Sequence, residues 1–130
     1  LYANISKGNF HEGNAKIYGD HSLLTCYDRI TKDVQKIFNF FQNNFKLSNH
    51  RYLMVSPFNT RKRLMDLINE EIRNAKREHD AYIILKLNNL VDKELIKKLY
   101  QASQAGVKIQ LIIRGICSLI PGKYRSGKYC

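Results

Sequence analysis

The chain is 130 residues long, 44% hydrophobic and 25% charged, proportions that predict a globular domain and exclude disorder, collagen and a disulfide scaffold. Its longest apolar runs, such as Ala81 to Leu85 and Ile109 to Ile113, are about five residues where a membrane span needs roughly 20. Twenty-two Lys and Arg against 11 Asp and Glu leave a net charge of +11. That excess favours a polyanionic partner, such as nucleic acid, nucleotide, polyphosphate or anionic membrane, without choosing among them.

In chain order, residues 1–28 predict little regular structure: a strand end at Tyr2, Asn4 and Ile5, a turn at Gly8-Asn9, and a second strand near Ala15 to Tyr18. Nothing in this stretch makes a core of its own, so it is read as the tail of an earlier domain or as strands in need of a partner. Ile30, Val34, Ile37, Phe38 and Phe41 then fall on one helical stripe and predict a helix of about 12 residues. The apolar run Tyr52 to Val55 predicts a strand. Leu64, Leu67, Ile68, Ile72 and Ala75 predict a second helix that Asn59 or Thr60 would cap. A strand over Ala81 to Leu85 leads to a third helix, with Asp92 as N-cap, Leu95, Ile96, Leu99 and Ala102 on its apolar face, and Gly106 closing it in the left-handed conformation. Val107 to Ile113 predicts the last strand. From Arg51 onward the order is β-α-β-α-β, the pattern of an α/β domain with a parallel sheet covered by helices.

Ligands of such sheets bind beyond the carboxyl ends of the strands. Three segments stand there, Ser56 to Arg63, Lys86 to Asp92 and Arg114 to Cys117, and each carries a cation. Arg61, Lys62 and Arg63 begin a helix whose dipole they oppose, which favours an anion over a merely solvated turn. Arg114 directly follows an apolar run and precedes Gly115, where a ligand would approach the backbone closely; the plainer alternative is a strand-end Arg paired with an acid. Residues 114–130 hold four bases and no acid.

His11, His21, His50 and His79 show neither metal-ligand spacing nor a base-and-nucleophile arrangement, and Glu78-His79-Asp80 sits at the end of a charged helix, where exposure is expected. Cys26, Cys117 and Cys130 are odd in number and outside metal spacing, which predicts a reduced, cytoplasmic chain. No phosphate-binding glycine loop, dinucleotide fingerprint or nucleophile elbow is present. The start at Leu1 rather than Met predicts that the chain is cut from a longer one.

Several strings carry a more specific likeness. Ile5 to Phe10 continuing to Ala15-Lys16-Ile17-Tyr18, then Ser22 to Thr25, Val55 to Leu64, Leu85 to Asp92, Gln104 to Val107 and Ile113 to Leu119 together resemble bacterial polyphosphate kinase in order and spacing, over about residues 2–121. The resemblance implies an internal piece of the catalytic region, with residues 1–28 ending one phospholipase D-like domain and residues 29–130 forming an incomplete second one. It implies a parent enzyme that reversibly moves the terminal phosphate of ATP onto inorganic polyphosphate, through a phosphohistidine and with magnesium. The parent is expected to be a cytoplasmic homo-oligomer, with membrane association left open, and no specific nucleic acid is expected.

Carried over by position, Tyr18 and Arg114 fall where the family contacts nucleotide, and Arg61, Arg63 and Lys86 lie in family-like motifs as candidates for phosphate binding. The family's His-x-Lys motif is found nowhere in the sequence, and Glu78-His79-Asp80 only imitates its second histidine motif, since Ala81 follows. No catalytic residue and no metal ligand is therefore expected in this chain, and the piece alone is expected to be inactive. After Pro121 the likeness ends. The alternative is a non-catalytic basic α/β module that binds polyphosphate or nucleic acid.

Overall fold

Periodic apolar residues become helices where the local ends can be satisfied, and the structure, a computed structural model, describes this for residues 1–8, 10–43 and 48–122. The chain divides into two units, Leu1–Asn59 and Thr60–Cys130.

In the first unit, β1 (Ala3–Lys7) pairs antiparallel with β2 (His21–Thr25), in a register running from Ala3 opposite Thr25 to Lys7 opposite His21. The strand expected near Ala15 to Tyr18 does not form. A short helix, α1 (Glu12–Ala15), takes its place. The amides of Ala15 and Tyr18 bond back to the carbonyls of His11 and Asn14, and His11 Nδ1 accepts from the Gly13 amide, so this backbone is spent within one turn and none is left for a ladder. The expected Gly8-Asn9 turn lies partly outside the described residues, since Asn9 is not among them.

Helix α2 (Asp28–Gln42) is 15 residues long and extends the expected helix at both ends. Asp28 stands in its first turn, where a carboxylate suits the helix dipole, and pairs with Lys32 at 3.0 Å. Its buried residues are Thr31 and Asp33, whereas Phe38 and Phe41 of the apolar stripe are exposed.

The strand expected at Tyr52 to Val55 is also absent, because side chains from outside the run capture its backbone. Asp33 Oδ2 accepts from the amides of Tyr52 (2.7 Å) and Leu53 (3.1 Å). Asn59 accepts from the Val55 amide at 2.6 Å and donates to the carbonyls of His50 and Leu53, both at 3.1 Å. Asn59 therefore holds the preceding loop together; its side chain turns back from the helix it was expected to cap.

The second unit contains α3 (Thr60–Lys76), β3 (Tyr82–Leu87), α4 (Lys93–Gln104) and β4 (Lys108–Ile113). Strands β3 and β4 pair in parallel, Tyr82 opposite Lys108 through Leu87 opposite Ile113, with α4 as the crossover. The expected β-α-β-α-β order is thus realised as α-β-α-β, still a mixed α/β architecture. Asp92 caps α4 by accepting from the Leu95 amide at 2.8 Å, and Gly106 closes it at φ +95°, both as expected.

The core gathers Ile68, Ile83, Leu90, Ile96, Leu99, Ala102 and Val107, packed against Leu85, Leu87, Ile109, Leu111 and Ile113. Leu90 and Leu99 are each 1% exposed, and burying such a side chain stabilises by about 1.5–3 kcal/mol. The helices cover one face of this sheet; on the other face Tyr82, Ile84, Lys86, Lys108, Gln110 and Ile112 are exposed.

Candidate anion-binding site

At the carboxyl ends of β3 and β4 the two segments stay paired beyond the ladder. Arg114 donates its amide to the Leu87 carbonyl, Gly115 to Asn88 (2.7 Å), Leu90 to Ile116 (2.8 Å) and Ser118 to Leu90 (2.9 Å), and Leu90 and Cys117 form an isolated parallel bridge. Two asparagines reinforce this seam. Asn89 Oδ1 accepts from the Ile116 amide at 2.8 Å, and Asn88 Oδ1 accepts from Arg114 Nε at 3.0 Å.

Gly115 is required for this contact. A Cβ there would meet Asn89 Oδ1 and, at 2.9 Å, the Asn88 carbonyl. The close approach expected of a ligand at Gly115 is thus made by the protein's own backbone and amide. The result is an arginine on a rigid strand end, oriented by a neutral oxygen, and a guanidinium so placed suits phosphate oxygens.

The other candidates are placed differently. Arg61 lies in the first turn of α3 and grips Asp92 with two bonds, Nε to Oδ2 at 2.9 Å and Nη2 to Oδ1 at 3.3 Å. The hydrogen bond from Arg61 is the main reason that the Asp92 carboxyl is held below the usual carboxylate range, with the Leu95 amide adding to it; the same bond raises the Arg61 guanidinium. Asp92 thereby joins the start of α3 to the start of α4 and offsets the first-turn cation. Arg63 and Lys86 are exposed and take part in no ion pair among the described residues. Lys86 stands on the helix-free sheet face, opposite Ile112.

Tyr18 follows α1 in the first unit, 53% exposed, its amide bonded to the Asn14 carbonyl. The structure brings Arg114 together with Asn88, and Arg61 with Asp92; Tyr18 belongs to the other unit. His79 is exposed, and its amide closes the end of α3 on the Asn74 carbonyl. Cys26 and Cys117 are exposed, unbridged thiols, and Cys130 lies outside the described residues. Among the described residues no three His, Cys, Asp or Glu side chains come together as a metal site. No helix of the described residues is long and apolar enough to cross a membrane.

Sequence reasoning gave no role to Asn88 or Asn89, and read Asn59 and Asp92 only as caps. The Asn88-Asn89 pair immediately after an apolar strand was the available signal, since adjacent short amides at a strand end commonly bond to a neighbouring backbone.

This mixed α/β arrangement has a close solved counterpart. The crystal structure of polyphosphate kinase from Porphyromonas gingivalis superposes with a TM-score of 0.84 at 41% identity, covering 94% of this chain and 19% of that one. The family model for polyphosphate kinase C-terminal domain 2 matches residues 53–128, and that for C-terminal domain 1 matches residues 1–47. Curated polyphosphate kinases from Vibrio vulnificus strain YJ016 and Escherichia coli strain K12 are 53% identical over 121 residues and 50% identical over 120.

The chain belongs to the polyphosphate kinase family. It spans 17% of the length of each of those two relatives, covering 93% and 92% of itself. The domain 2 match continues past Pro121, where the likeness was expected to end. The domain 1 match ends at residue 47 and the domain 2 match begins at residue 53.

Proposed function

We propose that this chain supplies part of the nucleotide- and polyphosphate-binding wall of a phosphotransferase that reversibly moves the terminal phosphate of ATP to inorganic polyphosphate. The observation that carries the reading is Arg114, fixed at the joined ends of β3 and β4 by Asn88. In this reading Arg114 grips a nucleotide phosphate and Tyr18 contacts the nucleotide. Arg63 and Lys86 add positive potential along the phosphate chain. Arg61 acts mainly through Asp92, holding the cationic turn in place.

The covalent step belongs to histidines elsewhere in the parent, which split the transfer into two phosphoryl moves through a phosphohistidine. Magnesium, when bound to the parent, neutralises phosphate charge, and its ligands lie outside the residues described for this chain. The parent works as a cytoplasmic homo-oligomer whose phospholipase D-like domains meet in this segment.

Two measurements test this reading. The isolated chain is expected to show no ATP-dependent polyphosphate synthesis; turnover that survives His79→Ala would place the chemistry inside the chain and overturn the division of labour. In the complete kinase, Arg114→Ala is expected to weaken ATP binding about tenfold, the scale of one charge-assisted contact. Unchanged ATP binding removes Arg114 from the site.

A further inference from the structure

Where the segment over residues 48–59 meets the start of α2, two arginines and two tyrosines converge. The Arg29 guanidinium stands 5.8 Å from the centre of the Tyr27 ring and 5.6 Å from that of Tyr52, and the Arg51 guanidinium stands 5.8 Å from the same Tyr52 ring. All four residues are exposed, and all belong to the first unit. The backbone under the rings is held by other contacts. Tyr27 donates its amide to Thr25 Oγ1 at 3.0 Å and accepts from the Ile30 and Thr31 amides, while Tyr52 donates its amide to Asp33 Oδ2 at 2.7 Å.

The acids beside this cluster are already engaged, Asp28 with Lys32 at 3.0 Å and Asp33 with Lys36 at 2.8 Å. Neither Arg29 nor Arg51 takes part in an ion pair among the described residues. Arg29 also stands in the first turn of α2, where a cation opposes the helix dipole. Two like charges gathered on one ring repel each other, and an exposed ring contact returns only a modest attraction. An anion gripped by both guanidiniums would relieve that repulsion and use their planar donor forks.

We propose that Arg29 and Arg51, carried on the rings of Tyr27 and Tyr52, form a binding site for a phosphoanhydride chain, filled by inorganic polyphosphate. The rings orient the guanidiniums, and the guanidiniums suit phosphate oxygens. Inorganic polyphosphate brings no base, whereas a nucleotide or an RNA strand would stack its bases in competition with the arginines for the tyrosine rings. The inference rests on the reading that the parent enzyme acts on inorganic polyphosphate, and it is independent of Arg114.

The test uses the complete polyphosphate kinase carrying this segment, titrated to equilibrium with long-chain inorganic polyphosphate and, in parallel, with ATP and with single-stranded RNA. Arg29→Gln combined with Arg51→Gln is expected to weaken polyphosphate binding about tenfold and to flatten its salt dependence, while ATP binding changes less than about twofold. Arg29→Lys combined with Arg51→Lys keeps the charge but not the planar fork, and is expected to cost about threefold. Lys7→Gln combined with Lys16→Gln removes the same charge from exposed positions of the same unit, and is expected to leave polyphosphate binding within about twofold of the parent.

A lysine pair that binds polyphosphate as the parent does, or a Lys7 and Lys16 control that loses as much as the glutamine pair, reduces the cluster to general charge and overturns the site. An equal loss for ATP or for RNA assigns the cluster to a base-bearing ligand and overturns it as well. Unchanged polyphosphate affinity in the glutamine pair sinks this inference alone, whereas a parent enzyme that fails to bind polyphosphate sinks the functional reading beneath it.

Discussion

In the second unit a continuous apolar cluster runs from Ile68 on α3 through Ile83 on β3 to Leu99 on α4 and Val107. Among the described residues of the first unit, the buried side chains are Thr31, Asp33 and His50. The first arrangement is held by area removed from water, which tolerates approximate geometry. The second depends on specific donors and acceptors, and it is only as good as their pairing. Asp33 is well served by Lys36 Nζ at 2.8 Å and two backbone amides. His50 stacks on Phe58 at 6.5 Å, and its Nδ1 finds no hydrogen-bond partner among the described residues. A loop built in this way, over residues 48–59, holds its shape through side chains distant in sequence, whereas the strand-end loops of the second unit extend an existing ladder.

The largest effect is expected where the apolar cluster is broken. Leu99→Ala removes a side chain that is 1% exposed, and should cost about 3 kcal/mol in urea or thermal unfolding. A loss below about 1 kcal/mol would mean that the cluster is loosely packed and that the contrast between the units is overstated.

Asp33→Asn probes the polar side of the comparison and should cost about 2 kcal/mol near neutral pH, since a neutral amide cannot serve the Lys36 ammonium and both backbone amides together. Burial pushes the Asp33 carboxyl up, but the hydrogen bonds from Lys36, Tyr52 and Leu53 outweigh it and leave the group below its ordinary value. The folded pKa is thus depressed. Its contribution is complete above the unfolded value of about 3.9 and is lost as pH falls from there through the folded value. Unfolding curves across that acid window should be steeper in pH for the parent than for Asp33→Asn. Parallel curves would remove the carboxylate from the account of this loop.

What was legible in the sequence divides along the same line. Asp92 and Gly106 were readable as the two ends of α4 because both act on backbone within a few residues of themselves. Ile83, Leu85, Leu99 and Val107 were readable as core because their periodicity is local too. Tyr52 to Val55 was not, because the deciding groups are Asp33 and Asn59, and no property of the run announces that its amides are already engaged. In the candidate site, Arg114 was legible from its place after an apolar run. That its neighbour is an uncharged amide, while Arg61 faces an acid 31 positions on, became visible only once the strands were paired. Gly115 was legible as a close-approach position, but the group that approaches comes from the facing strand end.

The smallest effects, and the cleanest, are at the ends of the two helices of the second unit, which close in the same way with different residues. At α4 the Val107 amide reaches the Ala102 carbonyl and Gly106 reaches Ser103; at α3 the His79 amide reaches Asn74 and Glu78 reaches Ala75. Both turns put one residue at positive φ, Gly106 at +95° and Glu78 at +60°. A Cβ on Gly106 would touch nothing within 4 Å, so Gly106→Ala isolates the backbone penalty and should destabilise by about 1 kcal/mol. Glu78→Gly runs the other way. It relieves a left-handed penalty of about 1–2 kcal/mol at an entropic cost of about 0.5–1 kcal/mol, leaving a gain of roughly 0.5 kcal/mol. Opposite signs from two substitutions in one motif leave little room for a packing explanation, since Glu78 is exposed and Gly106 has open space. Should Glu78→Gly destabilise, the carboxylate must be supporting the end of α3 through solvent or a distant charge, and the symmetry between the two helix ends would be only geometric.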